Sequence, residues 1–333
     1  ASASRHIGRG HFDFLGMGRK ILADPDLPAK LTAGTPEQIR PCVYCYCCVS
    51  QIYVLKPVKC AVNPETARER ERTLVPASSP RHIAVVGGGP GGMESARRLS
   101  IRGHRVTLIE SGERLGGTLQ FASIAYEPNG RLLRWLREQV EASPVEVMLG
   151  TTATPELLRS LGVEEVVVAT GARRDMPELP GAERDFVYSG DEMRALVLGE
   201  DHQNLRRKTS AFTRAMVRAG AVTRATASPG MVRLASKAWL PFGKELVIIG
   251  GELVGLELAE FLAERGRTVT VLEEASHAGR GLYLVRRMRL LEELREHGDS
   301  IVRRFSDVAI DDGCVSYTNH RGQRRRVSCQ QVL

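Results

Sequence analysis

The residues best able to do chemistry in this chain are cysteines, and five of its seven fall between Cys42 and Cys60. In Pro41-Cys42-Val-Tyr-Cys45-Tyr-Cys47-Cys48, two residues separate each of Cys42, Cys45 and Cys48. Cys60 follows after eleven intervening residues, in Cys60-Ala-Val-Asn63-Pro64. A loop with this spacing can wrap three thiolates around one corner of a cubane, while Cys60 returns from a distance as the fourth ligand. Cys47 points away on the same spacing and reads as a bystander. Zinc also takes four thiolates, usually from two separate Cys-x-x-Cys knuckles, so zinc stays open beside a [4Fe-4S] cluster, and three cysteines crowded on one loop favour the cluster. Unliganded buried cysteines are a third reading, set against the oxidation hazard of five free thiols in one short segment.

The second chemical feature is a glycine loop. His82-Ile-Ala-Val-Val86 reads as a strand and leads into Gly87-Gly88-Gly89-Pro90-Gly91-Gly92, then a helix-like stretch over 93–101. Gly87 allows the tight turn, Gly89 lets the backbone approach a pyrophosphate, and Gly92 lets helix pack on strand. A second strand, Arg105 to Ile109, ends in Glu110, eighteen residues after Gly92, where an acid accepts from ribose hydroxyls. Glu113-Arg114-Leu-Gly-Gly117 and the strand-turn Glu165 to Ala172, with Thr170 and Gly171 at the turn, extend the pattern.

The same unit recurs at low identity. Glu245 to Ile249 runs into Gly250-Gly251-Glu252-Leu-Val-Gly255, a helix over 256–265, and the strand Thr268 to Leu272 ending at Glu273-Glu274. Glu252 stands where the second fingerprint glycine belongs, filling space and opposing pyrophosphate charge. If a nucleotide binds there, Glu273 and Glu274 favour the unphosphorylated ribose of NADH over the 2′-phosphate of NADPH.

These sites need elements to hold them. The chain has 333 residues, 42% hydrophobic and 26% charged, enough for two or three domains, with 33 glycines and only 5% aromatics. That composition and the repeated strand–loop–helix order imply an α/β fold with two Rossmann-like domains. A Pro76-Ala-Ser-Ser-Pro80 linker precedes the first. Between the two, helices are expected around Met193 to Leu198, Leu205 to Ala219 and Met231 to Trp239. The net charge of +8 reads as an Arg-rich solvated face, not a nucleic-acid platform, because no aromatics interleave with Arg206-Arg207-Lys208 or the run from Arg321 to Arg326. No stretch has the roughly 20 apolar residues of a membrane span, and Ala1 to Gly10 lacks an apolar signal core. With clustered cysteines as metal ligands, a cytoplasmic location is expected.

The cysteine spacing, Cys60-x-x-Asn63-Pro64, the two glycine loops and their order resemble the multidomain old-yellow-enzyme family that includes bacterial 2,4-dienoyl-CoA reductase and trimethylamine dehydrogenase. The resemblance covers nearly the whole chain. It implies a [4Fe-4S] cluster on Cys42, Cys45, Cys48 and Cys60, FAD in the first nucleotide domain, and NAD(P)H or ADP in the second at Gly250, Gly255 and Glu273. In that family an FMN-bearing TIM barrel comes first. Phe12 to Pro25 looks like its last strand and following helix, with Arg19 at the FMN phosphate, so residues 1–30 read as a barrel-end remnant. Residues 31–80 then form the cluster segment, 81–200 the FAD domain and 201–333 the second, C-terminally short nucleotide domain. One strand cannot make a barrel, so the substrate-reducing residues are expected elsewhere, and FMN only on another segment or chain. Val327 to Leu333 resembles the start of the closing strand, after which the family returns to a Gly-Asp segment at the flavin. The implied activity is an NAD(P)H-dependent iron–sulfur flavoprotein oxidoreductase module with a barrel-containing or homo-oligomeric partner. The rival expectation is a non-catalytic nucleotide-holding or assembly subunit.

Overall fold

A computed structural model describes residues 2–172, 176–199, 203–222 and 228–333, arranged as two compact units, Ala1–Val75 and Pro76–Leu333. The first unit holds short helices: α1 (Ser2–Gly8), α2 (Gly18–Ala23), α3 (Leu27–Thr32), α4 (Cys47–Tyr53) and α5 (Glu69–Arg72). Each is too short to stand alone in water. Buried polar contacts tie them together instead. The Asp24 carboxylate, 3% exposed, accepts from Lys30 Nζ and from the Arg40 amide, both at 2.7 Å, fixing the entry to the cysteine loop. Asn63 Nδ2 and Thr66 Oγ1 both donate to the Leu22 carbonyl, at 3.0 and 2.9 Å, fixing its exit.

The second unit carries the two nucleotide folds. The first runs β1 (His82–Val86), α6 (Pro90–Ile101), β2 (Arg105–Ile109), α7 (Thr118–Ala125), α8 (Glu127–Glu141), β3 (Glu146–Met148), α9 (Pro155–Ser160) and β4 (Glu165–Val168), and its strands form a parallel sheet of order β3-β2-β1-β4. Ile83, Ala84 and Val85 are fully covered, as parallel strands buried on both faces require. On α8 the buried Leu133, Leu136 and Val140 fall at helical spacing and close the core with Met93 and Ala96 of α6.

Four helices follow: α10 (Gly190–Leu198), α11 (Leu205–Lys208), α12 (Ala211–Val222) and α13 (Pro229–Ala238). Helix α10 opens with a complete capping box, Ser189 accepting from Glu192 N and Glu192 accepting from Ser189 N, and ends on left-handed Gly199. The single helix expected from Leu205 to Ala219 is two. Thr209 turns extended, and Ser210 Oγ accepts from Thr213 N at 3.1 Å, a local side-chain bond that starts a new helix.

The second fold runs β5 (Glu245–Ile249), α14 (Leu253–Ala263), β6 (Thr268–Glu273), α15 (Leu284–Glu296) and β7 (Ser300–Arg303). Strands β8 (Ser306–Asp311), β9 (Cys314–Thr318) and β10 (Arg324–Ser328) form a separate antiparallel sheet. The chain then returns in β11 (Gln331–Val332), parallel to β5, completing the order β11-β5-β6-β7. That antiparallel sheet was not anticipated from sequence. Its core joins Ile310, Val315 and Tyr317 to Val247, Leu272 and Val332. Leu196, Leu198 and Leu205 pack with Leu246, Leu256 and Leu290 in one cluster. Among the described residues no helix is long and apolar enough to cross a membrane.

Candidate functional site: two glycine loops and a cysteine loop

Gly87 leaves β1 with φ +111, and a Cβ there would strike the carbonyl of Ala169 at the end of β4. At Gly92 a Cβ would enter the carbonyl of Gly87, so helix α6 can sit this close to the strand only because that position is bare. Gly89, by contrast, has nothing within 4 Å of a built Cβ; the loop is open there, at the N-terminus of a twelve-residue helix. The carboxylate of Glu110 is locked from two sides, Oε2 accepting from Gly88 N and Oε1 from Gly112 N, both at 2.7 Å. Around these groups lies a cavity of about 730 Å³ lined by Gly87, Gly89, Glu110, Gly117, Thr170 and Gly171, in the size range of ligand sites, roughly 300–1,000 Å³.

Open space over Gly89, a helix dipole aimed into it and a fixed acid suit the pyrophosphate and ribose of a dinucleotide such as FAD. Arg114 lies elsewhere, within electrostatic reach of Arg137, whose side chain donates to the Leu115 carbonyl. Residues that sequence reasoning missed also line the cavity: Thr151, Thr152 and Ala153 after β3, and Arg194 on α10. Thr151 is held there because its amide donates to the Glu110 carbonyl at 3.0 Å. A partner so far along the chain leaves no local signal.

The second loop repeats the first at a constant offset of 163 residues. Gly87 N donates to Ile109 O and Gly250 N to Leu272 O, each at 2.8 Å. Glu273 accepts from Gly251 N at 3.0 Å and from Ala275 N at 2.8 Å, as Glu110 does from Gly88 and Gly112. A Cβ on Gly255 would enter the Gly250 carbonyl, as one on Gly92 enters that of Gly87.

In the cysteine loop, Tyr44 and Tyr46 both adopt left-handed φ, 53° and 58°, on either side of Cys45. That conformation is costly for bulky residues and persists where surroundings impose it, often at functional sites. The winding turns the Tyr44 amide onto Cys42 Sγ at 3.5 Å and the Cys47 amide onto the Cys45 sulfur. Cys42 lies within electrostatic reach of Cys48 and Cys60, and Cys45 of Cys42 and Cys60. Burial pushes the Cys45 thiol up to about 11 and the Cys42 thiol upward as well. Free of a cation, these sulfurs hold their protons. Cys47 is buried at the start of α4. The four sulfurs are linked through Cys42, and those of Cys42 and Cys45 accept from backbone N–H, a donor set that suits a thiolate-bound metal group. They are not drawn together to coordination spacing, since no group of three or more His, Cys, Asp or Glu able to hold an ion occurs among the described residues.

Arg19 faces this loop. Its guanidinium lies 4.5 Å from the Tyr46 ring centre and 5.2 Å from that of Tyr44, within electrostatic reach of Cys42 and Cys48. It also lines a cavity of about 420 Å³ with Phe12, Gly16, Met17 and Tyr44.

Residues 81–333 match the family model described as pyridine nucleotide-disulphide oxidoreductase. The chain belongs to that family. Its fold is that of FAD- and NAD(P)-binding oxidoreductases, as the two glycine loops require. Among curated proteins, bilirubin reductase of Mediterraneibacter gnavus is 31% identical over 97% of this chain and 44% of its own length. The metal reductase of Desulforamulus reducens is 34% identical over 87% of the chain and 43% of its own length. A 2-naphthoyl-CoA reductase structure superposes with TM-score 0.80 over 99% of the chain and 44% of its own, at 24% identity, which speaks for the fold. Other relatives are named cinnamate reductase and dimethylamine dehydrogenase, bearing out the resemblance to multidomain old-yellow-enzyme reductases and amine dehydrogenases. The chain spans less than half the length of these curated relatives.

Proposed function

We propose that this chain is the electron-carrying part of an iron–sulfur flavoprotein oxidoreductase. FAD occupies the cavity over Gly87, Gly89 and Gly92 with Glu110 at its ribose, NADH the loop of Gly250 and Gly255 with Glu273 at its ribose, and Cys42, Cys45, Cys48 and Cys60 hold a [4Fe-4S] cluster. When bound, the flavin supplies two-electron hydride chemistry and the cluster one-electron transfer. The chain's own work is positioning: α6 and α14 aim their dipoles at phosphate, Glu110 and Glu273 fix the adenosine ends, and the wound cysteine loop with Cys60 supplies four sulfurs that would close around the cluster when it binds. Arg19 adds positive charge that offsets the charge of bound thiolates. Substrate reduction at an FMN barrel, on a preceding segment, another chain or a homo-oligomeric partner, completes the reading, and free cysteines as metal ligands accord with a cytoplasmic setting.

The observation that carries this reading is the open cavity over Gly89 with both oxygens of Glu110 pinned by backbone amides. Anaerobic purification, with iron, sulfide, zinc and flavin content and a visible spectrum before and after NADH, tests it. Iron near four per chain, as a cubane requires, with flavin that bleaches on NADH is the expected result. Zinc without flavin would reject it, and flavin that NADH never bleaches would favour a nucleotide-holding subunit.

A further inference from the structure

The repeat between the two nucleotide folds extends to individual hydrogen bonds, which makes its exceptions informative. Gly116 N donates to Gly88 O at 2.7 Å, and Gly279 N to Gly251 O at 2.6 Å. Met93 N donates to Gly89 O at 2.9 Å, and Leu256 N to Glu252 O at 3.0 Å. These pairings align Gly89 with Glu252 and Gly117 with Arg280. In the first fold those two positions are glycines in mutual contact: a Cβ on Gly117 would lie 3.1 Å from Gly89 Cα, and the space above Gly89 is open. In the second fold both have become charged, and Arg280 Nη2 lies 2.7 Å from Glu252 Oε1. The two substitutions meet each other over the spot where the first fold leaves room for a ligand. Leu253 N is also capped, donating to Arg280 O at 3.0 Å, which holds the Arg280 backbone against the start of α14.

We propose that Glu252 and Arg280 form an exchangeable phosphate gate on the second nucleotide site. Without ligand, the Glu252 carboxylate stands on Arg280 as an anion in place of phosphate. A dinucleotide pyrophosphate displaces it and takes Arg280 as its cation, while Glu252 turns out to solvent. Exposure decides between a gate and a permanent plug. The Arg280 and Glu252 side chains are 64% and 56% exposed, and an ion pair so open to water holds weakly, whereas a pyrophosphate offers arginine two charge-assisted contacts. Glu252 therefore raises the threshold for binding without forbidding it. The gate admits diphosphate-bearing ligands and is not opened by a nicotinamide nucleoside that carries no phosphate. With Glu273 locked at the ribose end, the ligand class is an unphosphorylated-ribose dinucleotide.

This inference rests on the reading of the second fold as a dinucleotide site, so the test separates the two. NAD+ and ADP-ribose are titrated calorimetrically into the flavin-loaded full chain, as wild type, Glu252→Gly, Glu252→Gln and Arg280→Ala, at low and high salt, with thermal melts confirming the fold of each. Glu252→Gly and Glu252→Gln should tighten both ligands, and Arg280→Ala should weaken them, each by roughly two- to fivefold, the scale of an exposed charge contact. The differences should shrink at high salt. The rate of flavin bleaching in anaerobic single-turnover mixing should half-saturate at a shifted NADH concentration, with its limiting rate held. Variants that shift affinity in the same direction, or not at all, would overturn the gate. So would a wild type and a Glu252→Gly variant that both fail to bind, in which case flavin and iron content, read separately, decide the wider reading.

Discussion

Cys47 and Cys60 show how little a residue type says without its surroundings. Both lie within electrostatic reach of Cys45, yet Cys47 is 2% exposed at the head of α4, while Cys60 is partly open and also within reach of Cys42. Cys60→Ser should therefore remove most of the iron and acid-labile sulfide and leave the fold of the nucleotide unit unchanged. Cys47→Ser should keep the metal and lose stability, about 1–3 kcal/mol for a hydroxyl placed in a buried apolar position. Iron and sulfide assays beside thermal melts of both variants check this pair; equal iron loss in both would end the bystander assignment of Cys47. Spacing in the sequence was enough to nominate Cys42, Cys45, Cys48 and Cys60. It could not show the left-handed Tyr44 and Tyr46, nor Arg19 against their rings, because those depend on how the loop is wound.

At the scale of elements, strands and glycine loops were legible because their signals are local: apolar runs, turn glycines, and an acid at a fixed distance. Long-range partners were not. Nothing near Glu252 announces Arg280, and nothing near Arg286 announces its neighbours. Arg286 of α15 is buried between elements, donating to Glu260 of α14 at 2.6 Å and to Glu293 of its own helix at 3.3 Å, with Tyr126, between α7 and α8, 4.8 Å from ring centre to guanidinium. Glu257 on α14 also faces it. Burial first, then the charge of Glu293, pushes Glu260 up to about 7 against the opposing pull of Arg286.

A carboxyl whose folded pKa is raised binds more protons folded than unfolded, so its contribution to stability falls as pH rises from the ordinary carboxylate range to about 7 and is level above that. The wild type should lose melting temperature between pH 5 and pH 7.5 relative to Glu260→Gln, by about 2 °C or more if the effect is on the order of 1 kcal/mol. Parallel melting curves for the two proteins across that range would show that the helix pair does not titrate.

For the whole molecule, the division at Val75 and Pro76 separates the two kinds of chemistry by unit: all four candidate metal ligands lie in Ala1–Val75 and both glycine loops in Pro76–Leu333. The segment joining them, Thr73 to Pro80, is outside any helix or strand, mostly exposed and rich in small residues, the kind of stretch where proteases cut a folded protein. The second unit has three buried clusters of its own, and its sheets close without any strand from the first. Among the described residues the first unit has short helices tied by buried polar bonds such as those of Asp24 and Asn63, so the proposed metal group would contribute much of its stability. Brief digestion of the holoprotein under anaerobic conditions should nick this segment first. Size separation should then yield a fragment beginning near Pro76 that keeps the flavin, with iron lost or following the smaller piece. Chelation before digestion should speed loss of residues 2–75 and spare the larger fragment. If flavin left the chain as soon as the segment was cut, the nucleotide unit would need the cysteine unit to hold its cofactor, and the separation of roles along the chain would be wrong.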